Sequence, residues 1–118
     1  MLSLPSSVRV FLCLVPVDMR RSFDGLASVA EGVARQNPLS GNLFVFRGRR
    51  GDRVKILYWD RDGYALWYKR LETGVFRFPA DTREAREITA AELGMLLEGI
   101  DVSAVKRSKR FSLVAPGA

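Results

Sequence analysis

The sequence predicts a single α+β domain, with an antiparallel β-meander of about four strands, an N-terminal strand and two helices. Three observations support this fold class. The 118 residues suffice for one compact domain. A chain with 47% hydrophobic and 27% charged residues is typical of a globular protein. Short aromatic runs separated by glycine-containing loops fill its middle. We expect the domain to span residues 1–105 and the basic residues 106–118 to form a mobile tail.

The first part of the chain predicts a strand followed by a helix. Residues 8–14 are β-branched, aromatic and mostly apolar, which favours an interior strand that ends at Pro16. A helix should begin after Ser22 or Asp24 as N-cap and end before Asn37 and Pro38. Its apolar residues recur at helical spacing: Leu26, Val29, Ala30 and Val33.

The meander and the last helix follow from turn residues and capping residues. The four predicted meander strands are 43–46, 53–59, 64–71 and 75–79. After a polar connection, Thr89 and Glu92 have the spacing of a capping box, and Ile88 and Leu93 that of a hydrophobic staple. The apolar stripe of this helix is Leu93, Leu96, Leu97 and Ile100, with Gly99 near its end.

The composition excludes several classes of site. Without histidine the chain has no Ser-His or Cys-His nucleophile and no histidine metal ligand. Its one cysteine, Cys13, forms no disulfide framework and is interpreted as a small buried hydrophobe. No phosphate-binding glycine-rich motif occurs. We therefore expect no catalysis, no cofactor and no metal. Because no membrane span or signal peptide is recognisable, we also expect a cytoplasmic protein without a membrane partner.

The basic residues are segregated along the chain. Residues 47–70 carry a formal charge of +5 and residues 106–118 one of +4, whereas residues 71–105 carry −4. Arginine supplies 15 of the 19 cations, and its planar fork suits phosphate. If the two strand faces that carry Lys55 and Trp67 coincide, the sheet presents cations beside aromatic rings, as nucleic-acid surfaces do. The candidate DNA-binding residues are Arg47, Arg49, Arg50, Arg53, Lys55, Trp67, Tyr68, Lys69 and Arg70. The alternative interpretation is that the aromatic residues belong to the core and the arginines are solvated hairpin charges.

The carboxylates allow a second chemical hypothesis. Asp18, Asp60 and Asp62 could hold Mg²⁺ in a small nuclease. However, Asp60 and Asp62 stand where a turn favours aspartate, and Asp18 with Arg20 is expected to form an ion pair at the junction of the strand and the helix.

Several motifs together resemble a known family. They are Asp18-Met19-Arg20 with Phe23-Asp24-Gly25-Leu26-Ala27, the stretch from Leu43 to Gly63, the stretch from Ala65 to Glu72, and Leu96 to Asp101. In this order they resemble the TnpB accessory protein of the insertion-sequence sixty-six family of bacterial transposons. The resemblance covers about Val8 to Asp101. One departure is that Val15-Pro16-Val17 stands where the family usually has a Gly-x-Thr-like turn.

The resemblance implies a role in transposition beside a catalytic transposase and a second small accessory protein. The favoured hypothesis is a non-catalytic factor that binds the transposon ends through the basic hairpin and helps to assemble the transposase complex. The alternative is a protein-interaction adaptor that docks on the transposase with little or no direct DNA binding, for which the acidic segment 71–105 offers a surface.

Overall fold

Five strands form one mixed sheet in the computed structural model, which describes residues 4–99. The strands are β1 (Val10–Val17), β2 (Leu43–Gly48), β3 (Arg53–Asp60), β4 (Gly63–Arg70) and β5 (Ala85–Ile88), in the order β4-β3-β2-β1-β5. Helix α1 (Phe23–Val29) continues as a π-helical segment (Ala30–Ala34) and connects β1 to β2, and α2 (Ala90–Leu97) follows β5. The predicted α+β class, single domain and two helices are confirmed.

The centre of the sheet is a parallel pair. β1 and β2 run side by side from Val10 opposite Leu43 to Cys13 opposite Phe46. Parallel neighbours need a crossover connection, and α1 with its π-helical segment provides it. On its other side β1 pairs antiparallel with β5, so β1 is the interior strand that its apolar sequence predicts.

The predicted fourth strand of the meander, 75–79, is not a strand. Within residues 4–99, the antiparallel meander consists of β2, β3 and β4. Beyond β4 the chain turns back across the β2–β3 connection, where the Phe76 amide donates to the Gly51 carbonyl at 2.8 Å. Phe76 is buried in the core from this irregular segment, so its apolar spacing reflects packing rather than strand pairing. The fifth strand lies instead at 85–88, within the region interpreted as a polar connection.

Pro16 does not end β1, which continues to Val17. Cys13 is opposite Phe46 and Val17 is opposite Gly48, so three residues of β1 lie between these pairs but one residue of β2 does. This part of β1 therefore forms a bulge. Proline is tolerated at a bulge because no ladder hydrogen bond requires its missing N–H.

Each face of the sheet is covered by one helix. On the α1 face, α1 packs against Phe11, Cys13, Phe44, Phe46 and Leu57. On the α2 face, α2 packs against strand residues that include Val10, Leu12, Val45, Val54 and Ile56. Among the described residues, no helix has the length and apolar character that a membrane span requires.

The capping residues behave as predicted at α2 and differ at α1. The Thr89 hydroxyl accepts from the Glu92 amide at 3.1 Å, and the Glu92 carboxylate accepts from the Thr89 amide at 3.0 Å. Ile88 and Leu93 are both buried beside this capping box. Ser22 is the N-cap of α1, but its side chain makes no capping hydrogen bond. Ile100, the predicted boundary at 105 and the basic tail lie outside the described residues.

Loss of the Thr89 cap should destabilise the domain. Thr89→Ala removes the hydroxyl that accepts from the Glu92 amide, and we expect the free energy of unfolding to fall by about 1 kcal/mol. Urea denaturation followed by circular dichroism measures this change. Thr73→Ala, at an exposed turn position, is the control and should change stability by less than about 0.5 kcal/mol. Equal effects of the two substitutions would contradict the role of the cap.

Stability should also fall at high pH because of Cys13. Burial raises the pKa of this thiol to about 12, whereas an unfolded thiol ionises near pH 8.5. The unfolded state therefore loses the proton first, and stability decreases as the pH rises from about 8.5 towards 12. Between about pH 7 and 10, the wild type should lose about 2 kcal/mol more than Cys13→Ala does. Denaturation of both proteins at the two pH values tests this, and parallel losses would refute it.

Candidate nucleic-acid interface

A shallow groove lies at the end of the sheet where the two parallel strands terminate. β1 ends at Val17 and β2 at Gly48, and these two residues are opposite each other. The loop 18–22 leads from β1 to α1, and the turn 49–52 leads from β2 to β3. The concavity between them has a volume of about 360 Å³. The residues that line it are Val17, Asp18, Met19, Arg20, Gly48, Arg49, Arg50, Asp52 and Arg53. We call this concavity the groove and this end of the sheet the basic end.

The loop 18–22 is held by the predicted ion pair between Asp18 and Arg20. The Asp18 carboxylate accepts from the Arg20 backbone amide at 2.8 Å and from its guanidinium at 2.7 Å. These hydrogen bonds, with a smaller contribution from the charge of Arg49, hold the pKa of Asp18 well below its ordinary value. The Arg20 side chain is 91% exposed. The pair therefore organises the loop and leaves the guanidinium accessible at the rim of the groove.

Lys55 anchors the same loop from beneath. Its side chain lies on the α1 face of β3, is only 6% exposed, and donates from Nζ to the Arg21 carbonyl at 2.7 Å. Nζ also lies 4.8 Å from the centre of the Tyr68 ring, within the range of a cation–π interaction. The Tyr68 hydroxyl in turn accepts from Arg53 at 3.2 Å. Lys55 thus connects the loop to two strands.

The turn 49–52 projects two arginines beside this anchored loop. A Cβ at Gly48 would come within 2.8 Å of the Met19 side chain, so the glycine lets the loop approach the turn. Gly51 has a φ of +80°, a conformation that glycine adopts readily. Arg49 and Arg50 are exposed. Within residues 4–99 neither forms an ion pair.

Like charges meet at the basic end of β3 and β4. Arg53 and Arg70 are directly opposite each other in the antiparallel pair, an arrangement that repels when nothing neutralises it. Glu72 neutralises Arg70 through a 3.0 Å ion pair. Arg53 has only the neutral Tyr68 hydroxyl as a side-chain partner among the described residues. The positive charge here is therefore incompletely compensated.

Other predicted residues lie away from the groove. Arg47 donates from Nε and Nη2 to the Leu14 carbonyl in the β1 bulge, at 3.1 and 3.0 Å, and its guanidinium stacks 5.7 Å from the Phe78 ring. Trp67 is opposite Ile56 and half-buried against the core of the α2 face. Lys69 is exposed on that same face.

The two faces proposed to coincide do not. Lys55 is opposite Tyr68, whereas Trp67 is opposite Ile56. Opposed residues share a face and successive residues alternate, so Lys55 and Trp59 lie on the α1 face, and Trp67 and Lys69 on the α2 face. A single surface that combines all the predicted cations and rings does not exist. Of the two predicted rings, Tyr68, which is 48% exposed, is therefore the one that lies beside an arginine of the basic end.

The sequence interpretation missed two contributors to the groove, Met19 and Arg20 as a rim cation. Both belong to the Asp-Met-Arg motif. Because this motif is far from the hairpin in sequence, the sequence did not indicate that Met19 and Arg20 lie beside Arg49 and Arg50. The apolar strand, helix and second strand that precede the hairpin were the available signal, because they are typical of a parallel crossover.

The aspartates of the nuclease hypothesis are separated. Asp18 lies at the basic end, whereas Asp60 and Asp62 lie at the β3–β4 turn, one strand length of roughly 23 Å away. These three carboxylates cannot bind one metal ion. Across residues 4–99 there is also no cluster of three acidic, cysteine or histidine side chains suited to one.

Comparison with known proteins identifies the family. The model of the family described as "IS66 Orf2 like protein" matches residues 8–107. Among curated proteins, uncharacterized protein y4hO of Sinorhizobium fredii is 45% identical over 100 residues, covering 83% of this chain and 87% of its own. Uncharacterized protein y4jC of the same organism is 37% identical over 110 residues, covering 92% and 94%. No solved structure matches. The chain therefore belongs to the IS66 Orf2-like family, as its motifs indicated, and is associated with transposition as an accessory protein.

Proposed function

We propose that this protein binds DNA as a non-catalytic accessory protein of transposition and contacts the phosphate backbone at the basic end. The observation that carries the proposal is the position of Arg49 and Arg50, exposed and without ion pairs in the described part of the chain. They stand beside the rim cation Arg20 and the incompletely neutralised Arg53. Four guanidinium groups line the concavity together with two carboxylates, Asp18 and Asp52, so its net charge is positive and favours an anionic ligand.

The groove supports backbone contact more than reading of bases. Its arginines come from a short turn and a loop, whereas the major groove is usually read by a helix or a two-stranded ribbon that inserts into it. Arginine contacts to phosphate fix the position of a protein on a duplex without carrying sequence information. Because hydrogen bonds from Lys55 and to Asp18 already hold the backbone of the loop 18–22, binding requires little further ordering of that backbone.

The proposal gives the predicted residues different roles. Arg49, Arg50, Arg53 and Arg20 contact phosphate, and Tyr68 packs against a sugar or base beside them. Arg70 contributes at the edge of the same face. Arg47 and Lys55 hold the β1 bulge and the loop, and Trp67 packs with the core, so these three support the surface from within. Lys69 contacts DNA only if the duplex extends onto the α2 face.

The adaptor alternative has less electrostatic support in the fold. Three acidic residues of the segment 71–105 are already paired: Glu72 with Arg70, Asp81 with Arg83, and Glu87 with Arg9. Glu92 is engaged in the capping box. Within residues 71–99, the exposed acidic residues outside these interactions are Glu84 and Glu98, so the acidic surface offered to a basic partner is small. In the proposal, the transposase and the second accessory protein join on the DNA of the transposon ends, in the cytoplasm.

Removal of the turn arginines should weaken DNA binding and its dependence on salt. For Arg49→Ala/Arg50→Ala we expect roughly tenfold lower affinity for transposon-end DNA and a log–log salt slope smaller by about 2, because two phosphates are no longer neutralised. Fluorescence anisotropy at several salt concentrations measures both quantities.

A matched control removes the same charge elsewhere. Arg35 and Arg61 are exposed, have positive φ, and lie at the opposite end of the sheet, so Arg35→Asn/Arg61→Asn lowers the net charge equally at positions where asparagine is tolerated. This control should bind nearly as the wild type does. Equal losses in the two double variants would indicate nonspecific attraction and contradict the assignment. Wild-type protein that shows no DNA binding but forms a nuclease-resistant complex with the transposase would favour the adaptor.

A further inference from the structure

We propose that two copies of this chain associate through β4, pairing antiparallel across a two-fold axis so that Leu66 lies opposite Leu66 of the second copy. The inference goes beyond the proposed DNA binding and does not depend on it. It begins from the two edges of the sheet, β4 and β5.

The two edges differ in what they offer another strand. β5 has four residues, and its Glu87 is held by Arg9 from β1's side through a bidentate ion pair. β4 has eight residues, all paired with β3 in an unbroken register from Gly63 to Arg70. Among residues 4–99, no strand lies on its outer side. A long edge without proline or a bulge presents a regular row of backbone donors and acceptors, which another strand can pair with.

The symmetry of such a pairing restricts the register. A two-fold axis perpendicular to the sheet keeps each face of one copy continuous with the same face of the other. Opposed residues must share a face, and side chains alternate between the faces along a strand. An even-numbered residue of β4 can therefore be opposite an even-numbered residue of the second copy, and an odd-numbered residue opposite an odd-numbered one. The registers that keep most of β4 paired are those centred on Ala65, Leu66 and Trp67. They differ in which side chains of the two copies are opposite each other.

The register centred on Leu66 is complementary on both faces. On the α1 face, Leu66 meets itself and Tyr68 meets Tyr64. Arg70 comes beside Asp62, which lies in the β3–β4 turn of the second copy just before Gly63, and exchanges its exposed ion pair with Glu72 for one with Asp62. On the α2 face, Trp67 meets Ala65, a large side chain beside a small one, and Lys69 meets Gly63. All five residues from Tyr64 to Tyr68 are at least partly exposed at this edge. Apolar and aromatic residues thus lie at the centre, and opposite charges lie at both ends.

Neighbouring registers lack this complementarity. A shift that centres the pairing on Ala65 places Lys69 opposite Arg61 and Tyr68 opposite Asp62. A shift that centres it on Trp67 places Arg70 opposite Tyr64 and leaves Asp62 beyond the pairing. The charges at the two ends of β4, acidic at the preceding turn and basic at Lys69 and Arg70, therefore select a second copy in one register.

A charge exchange tests the dimer and its register with the full chain. Wild-type protein should sediment as a monomer–dimer equilibrium between about 1 and 200 µM in analytical ultracentrifugation. Asp62→Lys or Arg70→Asp alone should raise the dissociation constant at least about tenfold, because each places two like-charged pairs at the interface. The double variant Asp62→Lys/Arg70→Asp should regain most of the affinity. Circular dichroism should show that all three variants remain folded.

Cross-linking tests the register independently, in a Cys13→Ala background. Leu66→Cys should form a disulfide-linked dimer on oxidation, because residues directly opposite have Cα atoms about 5 Å apart. Ala65→Cys is the matched control. In this register its two copies would be about 8 Å apart and should not cross-link.

Three results would overturn the proposal. One is a wild-type chain that remains monomeric throughout the concentration range. Another is a dimer that the single charge reversals leave unchanged, which would place the contact on the tail or another surface. The third is cross-linking of Ala65→Cys that equals or exceeds that of Leu66→Cys.

Discussion

The parallel pairing of β1 and β2 determines where everything else in the molecule lies. Because the two strands run in the same direction, the segments that leave them emerge at the same end of the sheet. One is the loop that carries Asp18 and Arg20, and the other is the turn that carries Arg49 and Arg50. An antiparallel arrangement of the same strands would place these segments at opposite ends. The parallel pair also requires a crossover, so α1 must cover one face and the hydrophobic sequence of β1 is buried on both.

Two cationic side chains, Arg47 and Lys55, stabilise the irregular segments next to the parallel pair through hydrogen bonds to backbone carbonyls. The exposed arginines of the basic end do not have this role. Arg47 supplies donors to the Leu14 carbonyl, which lies in the bulge. Lys55 supplies one to the Arg21 carbonyl, which lies in the loop. Each of these hydrogen bonds joins a strand side chain to the backbone of an irregular segment and so holds that segment in place. The basic stretch of the sequence therefore contains two kinds of cation: Arg47 and Lys55 donate hydrogen bonds to the backbone, whereas Arg49 and Arg50 are exposed at the surface. The three-dimensional structure is needed to tell them apart.

The elements that local patterns specify were predictable. The capping box at Thr89, the burial of Cys13, the hairpin from β3 to β4 and the pair of Asp18 with Arg20 all depend on residues close in sequence or on a single side chain. The errors concern long-range pairing. Nothing near Phe76 distinguishes an apolar residue of an irregular segment from one in a strand. The bulge that allows Pro16 inside β1 depends on Arg47 from another strand. Likewise, the shared face expected for Lys55 and Trp67 depends on the β3–β4 register.

The inequality of the two sheet edges limits how this protein assembles. A sheet with two long open sides can add copies at both and grow into a filament. Here β5 has four residues and β4 has eight, so within residues 4–99 the β4 side is the longer edge for another strand. In the proposed dimer, the edges that remain within residues 4–99 are both the short β5, which disfavours further growth. The fold thus permits a closed pair with basic ends that point in opposite directions, and it disfavours the open-ended aggregation to which exposed strands are prone.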